Sequence, residues 1–177
     1  DYLDVNREPY ELDPVLFRDW LPHYANTQSV RVVGGLGTIA RIVSESQDIY
    51  REPLTVETAL ERINRLYVPY HETLGALLVE AKRAFGFAIL IDCHSMPSTP
   101  RTEKRSFRTD FVLGDRFGTS CCSDLTSVAV TAVDGSGVDV TLSVGYAGGY
   151  ISAESGRPQR AVEGVRFVCG GGGGWGG

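Results

Sequence analysis

Phe87-Ala88-Ile89-Leu90-Ile91-Asp92-Cys93-His94-Ser95-Met96-Pro97-Ser98 is an apolar run that ends abruptly in an acid, a thiol and a histidine. The apolar residues Phe87 to Ile91, following the breaker Gly86, predict a strand buried on both faces, as in a parallel sheet under helices. Sites in such sheets lie at the carboxyl ends of strands, where Asp92, Cys93, His94 and Ser95 fall. Neighbours on an extended strand point to opposite faces, so Cys93 and His94 cannot meet as nucleophile and base. Cys93 is expected to pack into the core and Asp92 to orient the turn that follows.

Outward from this strand, the longest regular element begins near Thr55. Apolar residues at Ala59, Leu60, Ile63, Leu66, Tyr67, Tyr70, Leu74, Leu77, Leu78, Ala81 and Phe85 recur at helical spacing, with Pro69 as a kink or break and Gly86 as the stop. This helix is expected to cover the Phe87 strand. Tyr2 to Asn6 reads as a strand end, placing Asn6 and Arg7 at a strand exit before Pro9. Asp13-Pro14 predicts a capped helix through Leu21. Val30–Val33 and Thr38–Val43 read as short extended pieces, Asp110–Gly114, Val138–Val144 and Val165–Cys169 as strands, and Asp124–Val133 as a helix capped by Ser123. Helices between apolar strands predict an α/β fold with a mainly parallel or mixed sheet in three layers.

The chain has 177 residues, 42% of them hydrophobic, which suits one domain over 1–169, followed by a disordered glycine-rich tail over 170–177. A net charge of -5, with basic residues dispersed, speaks against nucleic acid. Apolar runs fall short of the about 20 residues of a membrane helix, so no membrane partner is expected and the cytoplasm is the expected location. Cys93, Cys121, Cys122 and Cys169 form no CxxC pair and read as reduced thiols.

His71, beside Tyr67, Tyr70 and Leu74, reads as a packed histidine, and His23 after Pro22 as a surface one. His94 differs, because it leaves a buried strand next to Asp92. Ser95 lacks the GxSxG glycines, and the Gly34-Gly35-Leu36-Gly37 loop lacks a nucleotide fingerprint, so tight turning explains it. Arg7, Arg41 and Arg116 each follow a strand-like piece. They can converge at one sheet edge, where a guanidinium binds a carboxylate through two parallel hydrogen bonds. For Arg41 and Arg116, structural pairing and substrate contact stand as equal alternatives.

Six motifs in order resemble the N-formylglutamate amidohydrolase family: Tyr2-Leu3-Asp4-Val5-Asn6-Arg7, Gly35-Leu36-Gly37-Thr38-Ile39-Ala40-Arg41, Tyr67-Val68-Pro69-Tyr70-His71, Leu90 to Pro97, Leu113 to Gly118, and Tyr146-Ala147-Gly148-Gly149-Tyr150. The resemblance runs from Asp1 to about Arg160. It implies a zinc carboxypeptidase-like (phosphorylase/hydrolase-like) fold and hydrolysis of the formyl amide of N-formyl-L-glutamate to formate and glutamate, in histidine degradation. It also implies zinc as cofactor with His94 as a ligand, Asn6 and Arg7 on the substrate's α-carboxylate, Arg41 or Arg116 on its second carboxylate, and Tyr146 as the tyrosine that closes over an acyl amino acid substrate.

Two departures set the expected activity. The family's first zinc ligands come from a histidine motif upstream of the Asp-x-Asn-Arg segment, inside which this chain starts, so the chain is expected to be truncated there. Counted on from Tyr146, the family's catalytic glutamate falls on Val168, which cannot accept a proton, and Glu163 is out of register; the C-terminus reads as altered. Weak zinc binding and impaired hydrolysis are therefore expected. The alternatives are a noncatalytic dicarboxylate-binding remnant of the same fold and a fragment that does not fold alone.

Overall fold

The helix expected from Thr55 opens as α2, Val56–Arg62, in the computed structural model of the chain, which describes residues 2–43, 47–97, 111–115, 119–142 and 162–171. Thr55 caps it by accepting from the Thr58 amide at 3.1 Å. The helix then widens into a π turn, Ile63–Tyr67, closed by a bond from the Val68 amide to the Ile63 carbonyl, and resumes as α3, Val68–Phe85. Pro69 therefore neither breaks nor ends the helix. It stands second in α3, and a missing N–H is tolerated in a helix's first turn, which the wide turn before it supplies. Gly86, at φ +83°, ends α3 with its amide on the Lys82 carbonyl at 2.8 Å.

Two compact units divide the chain, Asp1–Leu77 and Leu78–Gly177. The first is built around Leu12, Leu16, Phe17, Ile39 and Ala59, with Leu21, Ala25, Tyr50, Leu54 and Val56 packed against them. Several expectations change here. The helix predicted after Asp13 shrinks to the 3₁₀ turn Pro14–Leu16, because Leu16 and Arg18 bond across to Leu54 instead of continuing it. Val30–Val33 is not a strand but a helical turn, α1, since Ser29 accepts from the Val32 amide at 3.1 Å and its cap outweighs the β-branched residues. Tyr2 to Asn6 is not a strand end either. Asp4 accepts from the Asn6 amide at 2.8 Å, making a turn from the side chain. The Thr38–Val43 piece reduces to one antiparallel bridge, Ile42 with Asp48.

The second unit holds a mixed sheet of β1 (Ala88–Pro97), β2 (Phe111–Gly114), β3 (Val140–Leu142) and β4 (Val162–Gly171), in the order β1-β4-β2-β3. β1 runs parallel to β4 and β2 to β3, while β2 and β4 are antiparallel. The helix α4, Ser123–Asp134, packs Leu125, Ala129 and Val130 around Leu113, Cys121 and Val140. Its cap position is Cys122 rather than Ser123. β4 is longer than predicted, and Gly170 and Gly171 continue it beside Met96 and Pro97, so the expected tail would begin only after them.

The strand predicted from Phe87 is present, parallel and at the expected place, but it is not buried on both faces. Ala88 and Asp92 are buried, whereas Phe87, Ile89, Ile91 and Cys93 are exposed. Cys93 therefore does not enter the core. Among the described residues no side chain of α3 is buried, Leu77 and Phe85 are exposed, and so are Ile89 and Ile91 of β1, so the burial of the strand under this helix is not borne out.

Candidate functional site

In the first unit the candidate residues gather around the turn that carries Asn6 and Arg7. Asn6 is 1% exposed. Arg7 spends three of a guanidinium's N–H groups on protein oxygens: Nε donates to the Leu36 carbonyl at 3.1 Å, one terminal nitrogen to the Asn6 carbonyl at 2.9 Å, and the other lies 3.1 Å from Asp4 Oδ2. A guanidinium carries five donors, so two remain on a group whose plane is already fixed. Arg41 sits differently. Its Nε donates to Asp13 Oδ2 at 2.8 Å and a terminal nitrogen to Asp48 Oδ1 at 3.1 Å. The hydrogen bond to Asp13 is the main cause that holds the Arg41 guanidinium above its ordinary pKa. Of the two alternatives for Arg41, the geometry displays the structural pairing.

The Gly34–Gly37 loop is the element these arginines share. Leu36 takes the Arg7 Nε–H, the Arg41 amide bonds the Gly35 carbonyl at 2.9 Å, and Gly35 adopts φ +72°. Gly37 is glycine for a spatial reason, because a Cβ there would stand 2.3 Å from the Glu11 carbonyl oxygen. Thr38 Oγ1 closes the loop onto the Glu8 carbonyl, and its own carbonyl accepts from the Asp4 amide at 2.8 Å.

Helix residues hold the same turn from the other side. Tyr67 Oη donates to the Arg7 carbonyl at 2.7 Å, His71 Nε2 lies 2.9 Å from the Val5 carbonyl, and Arg62 donates to the Tyr2 carbonyl at 3.2 Å. His71 is the packed histidine that the sequence predicts, its ring 4.3 Å from that of Tyr67. His23 is exposed against Tyr24, as expected. Sequence reasoning missed what Tyr67 and Arg62 bond. The only signal for Tyr67 was its motif, since the contacts span about sixty residues that no local spacing connects.

In the second unit His94 and Asp92 share one face of β1, and His94 Nε2 lies 2.6 Å from Asp92 Oδ1. Asp92 orients the imidazole rather than the turn, for β1 continues to Pro97. A carboxylate on one ring nitrogen is the arrangement that aims the other. The β4 register partner of His94 is Val168, and that of Ile89 is Glu163. A catalytic zinc takes about three protein ligands. Among the described residues no three His, Cys, Asp or Glu lie close enough to hold a metal, so the pair by itself does not fit a zinc site. Arg116 and Tyr146 lie outside the described residues. No helix among the described residues is long and apolar enough to cross a membrane.

A mixed sheet with helices places the chain in the α/β class, with an Asp–His pair in the carboxyl-terminal half of one strand. Comparison with known proteins narrows the class: the sequence profile of N-formylglutamate amidohydrolase (FGase) matches residues 2–167, and the chain belongs to that family. It is 28% identical over 126 residues to the N-formylglutamate deformylase of Pseudomonas aeruginosa and 27% identical over 126 residues to that of Pseudomonas putida, in each case over 70% of this chain and 47% of the relative. The chain thus spans about half the length of these curated relatives. The crystal structure of N-formylglutamate amidohydrolase from Ralstonia eutropha superposes with a TM-score of 0.86 at 30% identity, over 96% of this chain and 61% of that one.

Proposed function

We propose that this chain carries the substrate-carboxylate half of an N-formylglutamate deformylase-type hydrolase, an enzyme that cleaves a formyl amide to formate and L-glutamate. The observation that carries the reading is the immobilised Arg7, whose plane is set by Leu36, Asn6 and Asp4 while two donors remain for a carboxylate. Its family supports the substrate class. Asn6, buried beside Arg7, fixes the turn and orients the α-carboxylate. Arg41 is already engaged by the carboxylates of Asp13 and Asp48, so in this reading the second substrate carboxylate falls to the other candidate, Arg116. In the second unit, His94, held by Asp92, is the residue that the family resemblance makes a metal ligand. We derive no step through a metal, because the described donors do not make up its ligand set.

A second reading, a binding remnant of the same fold, is favoured by the register that sets Val168 beside His94. Valine accepts no proton from an attacking water. Titration calorimetry with N-formyl-L-glutamate and L-glutamate, run beside an assay for released formate, separates the two. Both readings predict dicarboxylate binding that is lost in Arg7→Ala. The hydrolase reading adds formate release abolished by His94→Ala, whereas the remnant binds equally well in His94→Ala and releases none. Binding that is indifferent to Arg7→Ala sinks both. Zinc retained after dialysis is expected to be well below one equivalent.

A further inference from the structure

The wide turn in the long helix accounts for three contacts at once. Arg62, Tyr67 and His71 each reach a different carbonyl of the segment that carries Asn6 and Arg7, those of Tyr2, Arg7 and Val5 respectively. A carbonyl only accepts, so His71 holds its proton on Nε2 when it makes this bond. In a regular α-helix Tyr67 would stand about 140° around the axis from Arg62. The i→i+5 bonding of the π turn brings residues five apart close to one face. His71 then follows Tyr67 at the i,i+4 spacing that places side chains one above the other, and their rings touch.

We infer that the π turn serves to bring these three donors onto one face, and that Tyr67 and His71 are positioning residues for carboxylate recognition, acting through the backbone that bears Arg7; this rests on the reading of Arg7 as a carboxylate ligand. The route is short. Tyr67, 4% exposed, bonds the carbonyl of Arg7 itself, and the Arg7 side chain is aligned on the Asn6 carbonyl one residue earlier. Loosening that backbone tilts the guanidinium plane, and a two-point contact with a carboxylate is sensitive to tilt.

The test is calorimetric titration of the full chain with N-formyl-L-glutamate, at a temperature where thermal unfolding shows each variant folded. Tyr67→Phe, which removes one hydroxyl, and His71→Leu are each expected to weaken binding about tenfold. His71→Gln, whose amide can donate to the Val5 carbonyl, is expected to stay within about twofold of the parent. If His71→Leu does not fold, Tyr67→Phe carries the test. Parental affinity in Tyr67→Phe, while Arg7→Ala abolishes binding, overturns the positioning role. Equal weakening in His71→Gln and His71→Leu overturns it for His71, since packing would then be the cause. Unchanged affinity in Arg7→Ala overturns the reading of Arg7 itself and takes the inference with it.

Discussion

Arg7 and Arg41 bear the same charge in one unit, yet their partners assign them different work. Arg41 answers two carboxylates, and its partner Asp13 is only 5% exposed. Removing the guanidinium leaves that acid buried without its cation. Arg41→Ala is therefore expected to cost about 1–3 kcal/mol in urea unfolding. Arg41→Lys should recover little of it, because one ammonium cannot span two acids as a planar fork does. Asp13 raises the Arg41 pKa, so the folded value exceeds the unfolded one, and the stability from this arginine is complete below the ordinary guanidinium range. It is lost only as pH rises through the folded value, far above neutrality. A urea midpoint that fell between about pH 6 and 9 in the parent but not in Arg41→Ala would contradict this.

At the scale of elements, two glycines give opposite expectations. Gly75 lies inside α3 with nothing within 4 Å of the position a Cβ would take, so Gly75→Ala should stabilise by about 0.5–1 kcal/mol. Gly37 faces the Glu11 carbonyl, a backbone atom that cannot swing aside, and Gly37→Ala should destabilise by about 1–3 kcal/mol. Urea midpoints of the two variants check both signs. Elements with a strong local signal were legible in the sequence: the long helix by its stripe and its Thr55 and Gly86 ends, β1 by its apolar run, β2 and α4 by their flanking turns. Elements settled by distant bonds were not. Leu54 takes the amide that would have extended the helix after Asp13. Val30–Val33 differs, since Ser29 caps it locally and the β-branched composition masked that signal. Of the candidate residues, Asn6 and Arg7 in the first unit and His94 in the second stood out in the sequence as residue types in motifs. The carbonyls that immobilise Arg7 were not, because backbone atoms leave no mark on a sequence.

Among the described residues, apolar side chains stand exposed along β1 and just before it. Ile89 and Ile91 lie in solvent on one face of β1, with Phe85 and Phe87 exposed just before them. Surface of this kind on a strand promotes association between molecules. The double variant Ile89→Thr/Ile91→Thr keeps β-branching and is expected to raise the concentration at which light scattering sets in, with little change in the urea midpoint. Unaltered scattering would show that the face is not what drives association. The π turn has a last consequence, for helix length. It amounts to one residue more than a regular helix needs between Arg62 and Tyr67, and Asn64 within it is exposed. Deleting Asn64 would leave Arg62 four residues from Tyr67, a spacing that regular i→i+4 bonding also stacks on one face, so the shortened helix is expected to keep its grip on all three carbonyls. The wide turn is thus the device by which the helix carries one surplus residue without turning its first half away from the segment that bears Arg7.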